Sequence, residues 1–218
     1  PEGTVVPKQF RLGVSNTEDE IREHVDFLLD SGADFIKLIA TGAVLALGTE
    51  PGQQELGDAE LRAAVEQARR HGRYVIAHAH GAEGIKAAIR AGVRSIEHAS
   101  LIDAEGIRLA KAHGVYLDMD IYNGDYIEAV GSAGHWPEDT LRKNRETTGA
   151  QREGFRRAVQ AGVKLTFGTD AGVYPHGQNA RQFDYMVRHG MTPLQAIQSA
   201  TTVAAESLGW SRDVGALS

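Results

Sequence analysis

Five short apolar runs in this chain each begin just after a glycine and end on a residue that can bind a metal or move a proton. Gly32 leads to Asp34-Phe35-Ile36-Lys37, and Gly72 to Tyr74-Val75-Ile76-Ala77-His78. Gly92 leads to Ser95-Ile96-Glu97-His98, and Gly114 to Val115-Tyr116-Leu117-Asp118. Gly162 leads to Lys164-Leu165-Thr166-Phe167-Gly168-Thr169-Asp170. Glycine suits the left-handed residue that closes a helix before the chain enters a strand. Apolar, β-branched runs of about four to eight residues then read as buried parallel strands. Right-handed crossovers between such strands give a parallel sheet with helices outside. In α/β barrels the working residues sit at the C-terminal strand ends. Lys37, His78, His98 and Asp170 are therefore expected to converge on one mouth.

The 218 residues suffice for one sizeable core. A net charge of −6, with no basic block to offset it, argues against a nucleic-acid or anionic-membrane surface. With no cysteine, neither disulfides nor thiolate metal sites are possible. No run approaches the ~18–20 apolar residues of a membrane span, and no charged-then-apolar leader opens the chain. The expectation is a soluble protein, cytoplasmic or exported. The chain starts at Pro1-Glu2-Gly3 without a methionine, which suggests processing or a piece of something longer. Linkers and low-complexity segments are absent, so residues 1–218 read as one domain. Five strand–helix units are too few to close an eight-stranded barrel, which typically takes ~250 residues. Either the sheet is open or further strands lie elsewhere.

Along the chain, the first ~16 residues read as irregular. Thr17-Glu18-Asp19-Glu20 is a capping box opening a helix that carries Ile21, Val25, Leu28 and Leu29. The stretch from Thr41 to Gly57 reads as a long loop of functional type, because long connections at this end of a sheet often carry function. Asp58 is expected to cap the next helix. Strand four reads as about Val115 to Ile121, and strand five as ending at Asp170. Tyr122 to Trp136 reads as a second functional loop. Gly149 and Gly154 divide a helix over about 137–161 into two pieces. Gly172 to Gly177 reads as a third loop. Two helices follow, over about 180–189 and 192–208. The second opens with Thr192-Pro193-Leu194-Gln195, a capping box with proline at N1.

Taken singly, these residues are ordinary. A lone strand-end histidine is more often a satisfied polar residue than a ligand, and an aspartate in Gly-Thr-Asp-Ala-Gly can simply bridge turn amides. Their equivalent positions in successive units carry the weight. Imidazole and carboxylate ligands suit zinc, with manganese or iron also compatible. A lysine ammonium is a poor ligand unless its amine captures carbon dioxide and becomes a carbamate. His80 lies two residues from His78 and so faces the same side of the strand.

Phe35-Ile36-Lys37-Leu38, His78-Ala79-His80-Gly81, Ile96-Glu97-His98-Ala99-Ser100 and Phe167-Gly168-Thr169-Asp170-Ala171-Gly172 resemble the amidohydrolase superfamily. The likeness is to its prolidase-like branch of metal-dependent dipeptidases and carboxypeptidases. Asp120-Ile121-Tyr122-Asn123, Tyr174-Pro175-His176-Gly177 and the segment from Leu194 to Thr201 strengthen it. The resemblance implies a TIM-type (β/α)8 barrel whose fourth to eighth strands are the five found here. The earlier strands and a small β-sandwich lie outside this chain. It implies two divalent metals, most often zinc, and a carbon dioxide-derived carbamate on Lys37 that bridges them. His78 and His98 would hold the second metal and Asp170 the first. The implied reaction is hydrolysis of a C–N bond, in dipeptides or at C-terminal residues, by a metal-bridging hydroxide, with Asp170 moving the proton. His80, Tyr122, Tyr174 and His176 become candidates for binding the substrate. The family's His-x-His pair at the end of its first strand has no counterpart before Lys37.

Three rival readings compete. Another reaction of the same superfamily, whether hydrolysis of a lactone, a urea-like group or a ring amide or amidine, or a deamination, is set by loops rather than fold. A Schiff-base enzyme would use Lys37 as nucleophile and needs no His/His/Asp cluster. A catalytically inert barrel fragment would expose apolar edge strands and so form homo-oligomers.

Overall fold

The structure, a computed structural model, describes residues 13–216. Its five strands are β1 (Ile36–Ile39), β2 (Val75–Ala79), β3 (Ser95–His98), β4 (Tyr116–Asp118) and β5 (Leu165–Thr166). They form one parallel sheet in chain order, β1-β2-β3-β4-β5. The register sets Ile39 beside His78, His78 beside Glu97, Glu97 beside Asp118 and Asp118 beside Thr166. One row across the sheet thus holds a histidine, two acids and a threonine, just beneath the strand ends.

Helices precede the first strand, fill every crossover and follow the last strand. These are α1 (Glu18–Asp30), α2 (Asp58–Arg70), α3 (Ala82–Ala91), α4 (Ala104–His113), α5 (Asn123–Ala133), α6 (Glu138–Ala161), α7 (Arg181–Arg188), α8 (Pro193–Ala200) and α9 (Thr202–Leu208). The helix-ending glycines behave as read: Gly114 and Gly162 stand at φ 67° and 70°, where a side chain would be strained. The core lies between sheet and helices, with Leu61, Ile85, Ile89, Ile96, Leu117 and Phe155 fully buried. This is the parallel-strand α/β architecture of a TIM-type barrel, present as a partial barrel. β1 and β5 each have one strand neighbour among the described residues. At the free edge, Phe35 just before β1 and Ile39 at its end remain 36% and 51% exposed.

Several element boundaries differ from the sequence expectation, for physical reasons. β4 and β5 are shorter than their apolar runs, because Asp120 and Asp170 lie in the irregular segments that follow them. Tyr122 to Trp136 is mainly the helix α5, whose Ile127 is buried and which packs on α6. α6 is one unbroken helix of 24 residues. Its Gly154 answers to packing, since a Cβ there would sit 2.8 Å from Ile102 Cγ2. Conversely, the segment 192–208 breaks in two at Thr201, where the backbone leaves helical space at φ −125°, ψ −91°. Gly57 rather than Asp58 is the N-cap of α2. Thr17 caps α1, but Glu20 reaches back to the amide of Asn16. The Thr192–Gln195 box is complete. Most of the N-terminal stretch read as irregular lies outside the described residues.

Candidate metal centre

The strand ends open into a cavity whose floor holds Lys37, His78, His80, His98, Asp120 and Asp170. Three imidazoles cluster there. Ring centroids are 4.7 Å apart for His78–His80, 4.6 Å for His78–His98 and 4.7 Å for His80–His98. One nitrogen of each lies within 4.8 Å of the others, and His98, Asp120 and Asp170 meet the same test.

Local structure fixes how each ring is used. His78 Nε2 lies 3.3 Å from the carbonyl of Gly42, which can only accept. The hydrogen is therefore on Nε2, and the Nδ1 lone pair is free. His98 Nδ1 lies 3.1 Å from Asp120 Oδ1, which leaves Nε2 free in the same way. His80 Nδ1 is 2.8 Å from Ser100 Oγ, and its backbone amide donates to Thr41 Oγ1 at 2.9 Å. Metal-binding histidines characteristically tie their outer nitrogen to a carboxylate or carbonyl and aim the inner one at the ion. The donor set fits a divalent cation that takes nitrogen and oxygen ligands.

The electrostatics agree. Burial holds the His78 pKa down to about 4, and the charge of His98 adds to this. His80 is pushed well below the ordinary histidine value by burial and by His98 and His78. Both rings are thus neutral near pH 7, as a ligand must be. Burial also works against protonating His98, but the charge and hydrogen bond of Asp120 outweigh it, and its pKa is raised. Burial would raise Asp120 too, yet His98 holds its carboxyl below the usual range. Asp120 thus favours positive charge on the His98 ring, whether from a proton or from a metal ion at its free Nε2.

The backbone at this rim is bent out of ordinary space. His98, Ala99 and Asp170 stand at φ 70°, 47° and 48°. Such conformations cost non-glycine residues roughly 1–2 kcal/mol each and gather at functional sites. Gly168 is required two residues before Asp170, because a Cβ there would overlap the Asp118 carboxylate. Asp118 itself is pushed up to about 7 by burial and by Glu97 beside it.

The site residues expected from the sequence divide into two groups. Lys37, His78, His80, His98 and Asp170 all line the cavity. Tyr122 and Tyr174 instead meet edge to face beside it, ring centroids 5.0 Å apart, both buried. The Tyr122 hydroxyl accepts from Arg181 at 3.3 Å. His176 is exposed on the loop after β5. Sequence reasoning counts Asp120 in the family resemblance without giving it a role in the site, and passes over a polar stripe on α6. Asn144, Thr147, Thr148 and Gln151 line the cavity wall at helical spacing. That spacing was the available signal. The mouth loop 41–57 adds Ala43, Val44 and Leu45. It is pinned by α6, where the buried Lys143 donates to Ala46 O at 2.7 Å and Arg142 pairs with Glu50 at 2.7 Å.

Comparison with known proteins places this arrangement. The Amidohydrolase family profile matches residues 3–218. Ochratoxinase from Aspergillus niger is 34% identical over 200 residues, which is 91% of this chain and 41% of that protein. The crystal structure of a Xaa-Pro dipeptidase with methionine bound in its active site superposes with TM-score 0.89. It shares 38% identity and covers 98% of this chain and 52% of its own. A prolidase complexed with N-methylphosphonate-L-proline gives TM-score 0.90 at 29% identity, over all of this chain and 55% of that one. The chain therefore spans about two fifths of the curated relative and half of these solved structures.

Proposed function

Since this chain belongs to the amidohydrolase family, we propose that the protein containing it is a metal-dependent hydrolase of amide bonds in small substrates, of the dipeptidase type. The observation that carries this reading is the imidazole cluster, in which His78 and His98 each have the outer nitrogen tied down and the inner lone pair free. Lys37, as its carbamate, with His78, His98 and Asp170 would hold two divalent metals, zinc being the best match to the ligands. When bound, such ions polarise the amide carbonyl and make water acidic enough to attack near neutral pH.

The chain's own residues account for the proton. Asp170 stands exposed to the cavity at the end of the β5 segment. It takes a proton from the attacking water as the oxygen joins the carbonyl carbon. It returns that proton to the nitrogen as the C–N bond breaks, so the products are a carboxylic acid and an amine. His80 lines the same cavity and is assigned to a substrate carboxylate. Tyr122 and Tyr174 shape the adjoining wall from behind, and His176 stands on the loop that borders it.

The test is hydrolysis of a panel of dipeptides and N-acyl amino acids by the intact protein, before and after chelation and metal return. Turnover that chelation abolishes and zinc restores is expected. Turnover indifferent to chelation, and trapped by borohydride on Lys37, would replace this reading with the Schiff-base one.

A further inference from the structure

The strained turn that carries His98 is gripped from α6 by one side-chain amide. Gln151 is buried, and its Nε2 donates both to the backbone carbonyl of His98 at 3.0 Å and to Asp120 Oδ1 at 2.8 Å. The same Asp120 oxygen takes the Nδ1–H of His98. Asn123 Nδ2 donates to the other Asp120 oxygen at 2.5 Å. A single NH2 group therefore spans the backbone of His98 and the carboxylate that orients its ring. The two hydrogens of that group match the two acceptors.

We propose that Gln151 is a positioning residue for the metal site: it holds His98 in its left-handed conformation and Asp120 against the His98 ring, so that His98 Nε2 faces the ion. The proposal rests on the metal-hydrolase reading. Without Gln151 the His98 carbonyl loses a buried donor. The turn at φ 70° and 47° loses the contact that offsets its strain. Asp120 keeps Asn123 but is free to swing from the ring. A helix that contributes no ligand thus sets the affinity of the site. The polar stripe on α6 ends at this residue, which gives the helix a reason to present glutamine where its spacing would otherwise admit an apolar side chain.

The experiment is cobalt(II) titration of the metal-stripped intact protein, following visible absorbance, for wild type, Gln151→Met, Gln151→Asn, Asp120→Asn and the Gln151→Met/Asp120→Asn double variant. Gln67→Met is the control. Gln67 is also buried and bonds Asp26 at 2.5 Å, between α1 and α2. Melting of each metal-free variant reports the fold. Outer residues that orient ligands typically alter affinity by about 10- to 100-fold. That loss is expected for both Gln151 variants, with a changed cobalt spectrum, while Gln67→Met binds as wild type. The double variant should lose less than the product of the singles, because both act on one ring. Gln151→Met or Gln151→Asn binding cobalt as tightly as wild type would overturn the proposal alone. So would losses matching Gln67→Met, or fully multiplicative losses in the double variant. A wild type that binds no cobalt would overturn the metal-hydrolase reading itself.

Discussion

At the scale of single residues, the site turns on which atoms are held and which are left free. Asp170→Asn removes the group that carries the proton while keeping its volume. Its kcat should fall by about 10²- to 10⁴-fold, the usual worth of a positioned acid–base group. Steady-state kinetics beside a circular-dichroism spectrum checks this, and wild-type turnover in Asp170→Asn would remove the residue from the mechanism. Asp118 supplies a prediction in pH. Its folded pKa of about 7 lies above the ordinary 3.8. The folded state therefore binds more protons between these values. The cost of burying Asp118 is absent below the unfolded pKa and is fully present above the folded one. Asp118→Asn should then raise the melting temperature at pH 8 by a few degrees and do so much less at pH 5; equal effects at both would refute the assignment. Much of this scale was legible from sequence. His78, His98 and Asp170 were legible as the ends of apolar runs and His80 from the strand period, whereas Lys37, also expected at a strand end, lies inside β1 and still reaches the cavity. The motif around Asp120 was legible, but its bond to His98 and the part played by Gln151 were not. Neither Asp120 nor Gln151 is a strand-end residue of the repeating kind, and their role exists only once α6 folds back across β4.

At the scale of elements, loops and helices hide more than strands do. The inner strands β2, β3 and β4 were readable because parallel strands buried on both faces write continuous apolar runs, and β1 keeps such a run although part of it is exposed. From sequence α5 reads as a loop because glycine, tyrosine and acid fill its first turns, and it is packing of Ile127 beside α6 that makes it helical. The two glycines of α6 misled in opposite ways, and this can be measured. A Cβ at Gly149 would meet nothing within 4 Å, whereas at Gly154 it would meet Ile102. Gly149→Ala should stabilise by roughly 0.5–1 kcal/mol through helix propensity. Gly154→Val should destabilise by about 1–3 kcal/mol through overpacking. Denaturant melts distinguish the two, and a Gly154→Val variant as stable as wild type would mean that α6 does not lie as close to Ile102 as described.

At the scale of the whole molecule, the described sheet has two free edges, and the chain covers about half of the solved structures it matches. Apolar side chains at a free edge, here Phe35 and Ile39, invite pairing with another chain. The 218-residue chain produced by itself should therefore associate, and light scattering should show more than a monomer's mass. A monomer at every concentration would contradict that. Among the described residues no helix is long and apolar enough to cross a membrane. The central claim concerns metal, and it is tested most directly by the divalent-metal content of the purified intact protein, measured by plasma mass spectrometry for wild type, Lys37→Ala and His98→Ala. The account predicts about two metal ions per chain in wild type and loss of metal in both variants. Wild type that hydrolyses an amide while holding no metal, even after zinc is offered, would contradict it.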